Sequence, residues 1–405
     1  MDNQPNYKWY ILFLTALTGA FGLAAPFMSL SVLFKEISAD LHLNLVQVGL
    51  VWSIGSLPAI FISMLSGAIN DRFGPKRVIL TAVLLLGAAG ASRGLAADFP
   101  SLLIAVIFFG LLSPMISTSA FKICGLWFPG RQLGLANGVF AAGMALGFFI
   151  SSLVSANVLS VWLGGWRHVM FFYGGLTALL CIPWYFARST PKVVASNVPS
   201  LVSIPMRQAI SHVVKLKDIW LLSITLMGMS GCMQGITGYI PTYLRGLDWS
   251  GLQADGALSL FHAVSMIFVL PIALWSDRLK ARKPLLAGMM VIIVVSGIFL
   301  ATTLGTSVWV VIAMMGMVRD ASMAVIMTMF IESEGVGPAY AGSATGFGLL
   351  FLSLGSLVAP PLGNRLGEIL PSLPFAFWAG MAAVGLVSLL FVEGSRRGVT
   401  LLEQG

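Results

Sequence analysis

Gly67-Ala68-Ile69-Asn70-Asp71-Arg72-Phe73-Gly74-Pro75-Lys76-Arg77 is a short polar, positively charged turn between two long apolar runs. A degenerate copy, Ser276-Asp277-Arg278 followed by Arg282-Lys283, stands in the later part of the chain. Asp277 lies 206 positions after Asp71, and Gly316 lies 206 positions after Gly110. A repeat at that spacing divides the 405 residues into two similar parts.

The flanking runs are long enough to cross a bilayer, which takes about 20 mainly apolar residues at 1.5 Å each. Such runs can be placed at 9–34, 46–69, 78–97, 101–124, 133–156, 167–187, 219–243, 255–275, 284–304, 308–330, 341–361 and 374–392. They are continuously apolar, where barrel strands would alternate, so an all-α membrane protein of twelve transmembrane helices is expected. Composition agrees. Hydrophobic residues make up 58% of the chain and charged residues 9%, against about a quarter in soluble domains. That excludes secreted disulfide scaffolds, disordered regulators and cytosolic enzymes. The net charge of +8 does not imply nucleic acid, because the Lys and Arg fall in short bursts between apolar runs. Cys124, Cys181 and Cys232 lie inside apolar runs without metal or redox spacing, and are expected to pack. The first run is too long for a signal peptide and is expected to be retained.

Positive charge is kept on the cytoplasmic side. One set of alternate loops holds sixteen Lys and Arg, counting Lys8, Arg72, Lys76, Arg77, Arg131 and the bases of 188–217, 278–283 and 396–397. The opposite set holds five: Lys35, Arg93, Arg167, Arg245 and Arg365. Both termini are therefore expected to be cytoplasmic. The proline- and serine-containing stretch 188–218 divides an N-terminal six-helix bundle, 1–187, from a C-terminal one, 219–405, in a multi-pass protein of the cell (inner) membrane.

At these residues the chain resembles the major facilitator superfamily, over essentially its whole length. Gly67 to Arg77 is similar to the family motif G-x-x-x-D-R-x-G-R-K-R, with Pro75 where a basic residue is usual. The resemblance implies a conformational latch of Asp71, Arg72, Lys76 and Arg77, with Asp277 and Arg278 in the second copy. Asp71 can pair with nearby cations and an opposing helix terminus. The plainer reading is a topology signal on a solvated turn. Trp127-Phe128-Pro129-Gly130-Arg131, followed by Gly134, Ala136 and Gly138, resembles the turn after span four in anion-carrying branches: nitrate/nitrite porters, cyanate permeases, oxalate/formate exchangers and monocarboxylate transporters. Span five lacks the Gly-Pro pair of drug exporters, and span one lacks the acidic opening of animal monocarboxylate carriers. Gly134, Gly138, Gly143 and Gly147, like Gly342 and Gly346, are expected to be places where helices approach closely.

A charge at the bilayer centre is expensive and needs a reason. Arg319 stands mid-way along span ten, too deep to snorkel, and offers five fixed donors suited to a carboxylate. It is expected to bind an anionic substrate, the alternative being an ion pair. Asp320 is either its counter-ion or a proton acceptor. Lys122 either lines the cavity with Ser113 and Ser117 or snorkels to the interface. Gln234 belongs to a polar stripe on span seven with Ser223, Ser230 and Thr237. His262, in a span-eight stripe with Asp255, Ser259 and Ser265, can relay protons, although a lone buried His is more often simply hydrogen-bonded. Arg93 is expected to anchor an interface.

Together these residues point to a secondary active transporter of a small organic anion of carboxylate type, working by alternating access with proton coupling. Exchange against a counter-anion, export of an amphipathic compound, and a transporter-like sensor are the alternatives. No nucleotide motif or protease constellation occurs, so the chain is not expected to be an enzyme, and neither cofactor nor metal is expected. The partners expected are substrate, proton or counter-anion, and lipid, with no nucleic acid, for a monomer.

Overall fold

The computed structural model describes residues 4–128, 132–188, 206–279, 282–302 and 305–393; Pro129-Gly130-Arg131 and residues 189–205 of the expected connection lie outside them. Among the described residues the secondary structure is helical throughout, with no strand. Among the described residues, eleven helices are long and apolar enough to span a membrane: Tyr7–Asp40, Pro75–Leu95, Phe99–Trp127, Leu133–Leu163, Trp166–Phe186, Lys217–Gly246, Gly251–Ser276, Arg282–Thr302, Ser307–Glu332, Tyr340–Gly367 and Leu373–Leu390. They correspond to expected spans one and three to twelve, and several run past the apolar limits.

Span two is the exception. It comes as two pieces, Leu45–Ser53 and Ser56–Phe73. Pro58 has no N–H to donate to the Ile54 carbonyl, and the Leu57 N–H takes that acceptor instead, at 3.1 Å. The break lies where Gly55 meets span four: a Cβ on Gly110 would overlap the Gly55 backbone. Span one is likewise interrupted, because Pro26 frees the Gly22 carbonyl and Thr18–Ala24 widens into a π-helical segment. At the other end of span two, Gly74 sits at φ +81°, which suits glycine, and turns the chain directly into span three.

The repeat recurs as repeated packing. Gly143 and Gly147 of span five lie on the Ala16 and Ala20 backbone of span one, and Gly355 of span eleven lies on Met227 of span seven. Gly110 brings span four onto span two, and Gly316, 206 residues later, brings span ten onto Phe261 of span eight. Gly87 and Gly174 join spans three and six, and Gly297 meets Ala379 between spans nine and twelve, with contacts of 2.6 Å and 2.9 Å for an added Cβ. Each pair recurs six spans on, so the twelve helices form two pseudo-symmetric sets of six. Close approach through small residues is how helices associate where lipid removes the hydrophobic drive. Four of the expected packing glycines do otherwise: a Cβ on Gly134, Gly138, Gly342 or Gly346 would meet nothing within 4 Å. Cys124 and Cys232 are buried, Cys181 is half-buried, and all three are free thiols.

Candidate functional site

A cavity of about 210 Å³ opens in the second set of helices. Span seven contributes Met229, Ser230, Met233, Gln234 and Thr237; span ten contributes Arg319, Asp320 and Met323; span eleven contributes Leu352 and Ser356. The wall is thus methionine-rich, with a few polar groups and one ion pair, a composition suited to a small ligand.

Arg319 and Asp320 share this space although consecutive residues leave a helix about 100° apart. The guanidinium reaches back to its neighbour, with NH1 3.1 Å from Asp320 Oδ1. Asp320 Oδ2 accepts from Ser265 Oγ of span eight at 2.6 Å. Arg319 also lies over two aromatic faces, 5.5 Å from the Phe148 centroid and 5.8 Å from that of Phe261. Its side chain keeps 24% of its surface exposed, and among the described residues its other guanidinium nitrogens have no hydrogen-bond partner. The pair is therefore compensated in charge yet has donors left over.

His262 is fully buried beside this pair. Its ring stacks on Phe148 of span five at 5.1 Å, and both ring nitrogens are buried without a hydrogen-bond partner among the described residues. Phe148, which sequence inspection did not single out, therefore touches both His262 and Arg319 from the opposite set of helices. No periodicity would have marked it in a helix that is apolar on all sides.

Lys122, Ser113 and Ser117 do not join Arg319 in the cavity. The Lys122 ammonium lies 2.5 Å from Asp71 Oδ1, which ties span four to the end of span two. Ser113 Oγ donates back to the Phe109 carbonyl at 2.7 Å, and Ser117 is half-buried on the same helix. Of the remaining turn residues, Lys76 Nζ donates to the Tyr185 carbonyl at 2.9 Å, Arg72 lies 5.4 Å from the Phe73 centroid, and Arg77 is exposed. Arg278 is exposed at the end of the second copy, whereas the Asp277 side chain lies outside the described residues.

The two sets are hydrogen-bonded at the end opposite Asp71. Ser31 Oγ donates to the Thr237 carbonyl at 2.6 Å, Asn364 Nδ2 to the Leu45 carbonyl at 2.8 Å, and Asn157 Nδ2 to Asp255 Oδ2 at 2.8 Å. Asp255 also holds Arg245 at 2.6 Å, a buried pair that the stripe reading of span eight did not distinguish. Trp52 Nε1 donates to the Gln234 carbonyl at 2.7 Å, and its indole covers Gly238. Arg93 is no interface anchor. It is fully buried, donates to the carbonyls of Pro26 (2.9 Å) and Gly90 (3.1 Å), and lies 4.5 Å from the Phe109 centroid.

The model of the family described as Major Facilitator Superfamily matches residues 12–360. The chain is similar to a "Hexuronate transporter" of Bacillus subtilis, 25% identical over 62% of this chain and 56% of that protein, so the match spans little more than half of that relative. It is also similar to a "Probable sulfoacetate transporter" of Cupriavidus necator, 23% identical over 90% of this chain and 89% of that one. In fold it resembles the crystal structure of nucleoside transporter NupG, with a TM-score of 0.77 at 15% identity, covering 94% of this chain and 99% of the other.

Proposed function

The chain belongs to the Major Facilitator Superfamily and is a multi-pass membrane transporter rather than an enzyme, and on that premise we propose that it carries a small organic anion of carboxylate type, coupled to protons. The observation that carries this reading is Arg319 on the cavity wall beside Asp320, with guanidinium nitrogens that have no partner among the described residues. A guanidinium that keeps its proton gives a carboxylate a fixed two-pronged partner. Relatives named for hexuronate and sulfoacetate transport, both anions, support the same class.

In this reading Arg319 and Gln234 bind the substrate, while Asp320 and His262 take up and release the coupling proton. A proton on Asp320 would offset the negative charge that the substrate brings in. The six-helix bundles on either side of residues 188–218 rock about the cavity, and Phe148 and Trp52 carry the motion of the first bundle to the site. The end with the hydrogen-bonded seam is the outer one, following the charge count, so the described conformation is closed outward. Asp71, Lys122 and the basic turn hold the inner end of the first bundle in shape and latch it when the inner side closes. Both termini and the 188–218 connection are then cytoplasmic, in the cell membrane.

Counterflow into proteoliposomes of the full chain, with labelled carboxylates and inorganic anions and with or without a pH gradient, tests this function. Carboxylate uptake that rises with an inward proton gradient and vanishes in Arg319→Ala is the expected result. Uptake indifferent to the gradient but dependent on a trapped anion would make the protein an exchanger. Normal kinetics in Arg319→Ala would remove Arg319 from the site.

A further inference from the structure

We propose that Arg319 and Asp320 together select a carboxylate bearing a hydroxyl on its α-carbon. This inference rests on the anion-carrier reading and narrows it. Arg319 NH1 and Asp320 Oδ1 stand 3.1 Å apart at the cavity wall. A ligand carboxylate and its α-hydroxyl are separated by one carbon–carbon bond, so a single small molecule reaches both groups. The carboxylate takes the guanidinium nitrogens that have no partner among the described residues. The hydroxyl takes Asp320, which already accepts from Ser265 at 2.6 Å and still has lone pairs to offer.

The chemistry of a proton carrier sharpens the choice. On the proton-coupled reading proposed above, Asp320 presents a carboxylate in one half of the cycle and a carboxylic acid in the other. A hydroxyl answers both, donating to the ion and accepting from the acid. An ammonium answers only the ion, so an α-amino acid loses its partner when Asp320 is protonated. An unsubstituted acid of the same length leaves Asp320 facing methylene in both states, the situation in which a site built for a hydrogen bond rejects an analogue that lacks it. Gln234, Ser230 and Ser356 add polar surface on the facing helices for a second hydroxyl. Met229, Met233 and Met323 close around the carbon chain.

Competition in the counterflow assay, with the full chain in liposomes, decides the matter using propionate, lactate, glycerate and alanine, which share a three-carbon frame. Lactate and glycerate are expected to compete at concentrations lower than propionate or alanine by about tenfold or more, the effect of one hydrogen bond to a charged group. In Asp320→Ala the ratio between lactate and propionate should fall to near one, whatever happens to overall uptake. Asp320→Asn, which can still donate and accept, should keep part of the preference and serves if the alanine variant does not insert. Equal competition by propionate and lactate in the unmodified protein would overturn the selection while leaving the anion carrier standing, and stronger competition by alanine would overturn it in favour of a zwitterion. Failure of every carboxylate to compete would remove both readings.

Discussion

The indole Nε1 of Trp52 donates to the main-chain carbonyl of Gln234 at 2.7 Å, and Gln234 lines the cavity that holds Arg319. One residue of the second set thus meets both the seam between the sets and the space that would hold a ligand. The indole is fixed from several sides: Phe27 lies 4.5 Å away, Phe34 meets it edge-on at 6.0 Å, and Gly238 lies beneath it. A Cβ on Gly238 would overlap the indole. Gly238→Ala should therefore wedge the seam and slow counterflow by about tenfold or more, since overpacking of a rigid contact costs roughly 1–3 kcal/mol. Trp52→Phe keeps a ring but loses the bond, and should cost about 1 kcal/mol of the closed form. Spin labels at Leu95→Cys and Ile369→Cys, both exposed at the seam end, report the opening. Unchanged label distances in Gly238→Ala would break the proposed link between seam and cavity.

Arg319→Lys separates charge from geometry. Lysine keeps one positive charge but offers a point donor in place of the planar fork. If the guanidinium grips a carboxylate with two nitrogens, KM for the transported anion should rise by about tenfold or more while the protein still inserts, because hydrogen bonds to charged groups are worth roughly 1.5–3 kcal/mol. An unchanged KM would mean that charge alone suffices. The concentration dependence of initial counterflow measures the difference.

Much of the fold was legible because lipid leaves few choices. Every backbone group must be paired within the protein, so twelve apolar runs of sufficient length read directly as helices. The 206-residue offset of Gly110 and Gly316 pointed to an internal repeat, and each of the two glycines seats the corresponding helix crossing. The site was less legible. Arg319 stood out by its cost in lipid, but its neighbours in space, Phe148, Met233 and Ser356, look like ordinary membrane residues. Arg93 was misjudged because sequence shows depth along a helix and not which carbonyls lie across from it. Lys122 had two open readings, and the deciding partner, Asp71, is 51 residues away. Gly134 and Gly342 illustrate the opposite error: a small residue marks a close approach only if something packs on it, and among the described residues a Cβ at either position would meet nothing within 4 Å.

Two alanines in span five distinguish these situations. Gly143 lies on the Ala16 backbone, and an added methyl there has no flexible neighbour to displace. Gly143→Ala should lower the thermal unfolding midpoint in detergent, with a cost of about 1–3 kcal/mol. Gly138 faces open space in the same helix. Gly138→Ala should leave the midpoint unchanged or raise it, since alanine is favoured over glycine in a helix by up to about 1 kcal/mol. Equal destabilisation by both would contradict the packing of spans one and five.

The ion pair between Asp71 and Lys122 makes the sharpest distinction between a latch and a topology signal. The side chains are 78% and 33% exposed, so the pair itself contributes only about 0–1 kcal/mol to stability. Asp71→Asn and Lys122→Ala should accordingly unfold at nearly the native temperature. A topology signal would also leave transport unaffected once the protein is inserted. A latch behaves otherwise: each single variant should change the turnover rate severalfold without a matching change in KM, because the carboxylate and ammonium hold helix ends and do not touch the cargo. The exchange variant, with Asp71→Lys and Lys122→Asp together, restores opposite charges at the same distance and should recover a large part of the rate. If both singles transport at the native rate, the turn serves insertion alone. If the exchange fails to rescue slow singles, Asp71 works through some partner other than Lys122, and the neighbouring cations of the turn, Arg72, Lys76 and Arg77, become the residues to vary next.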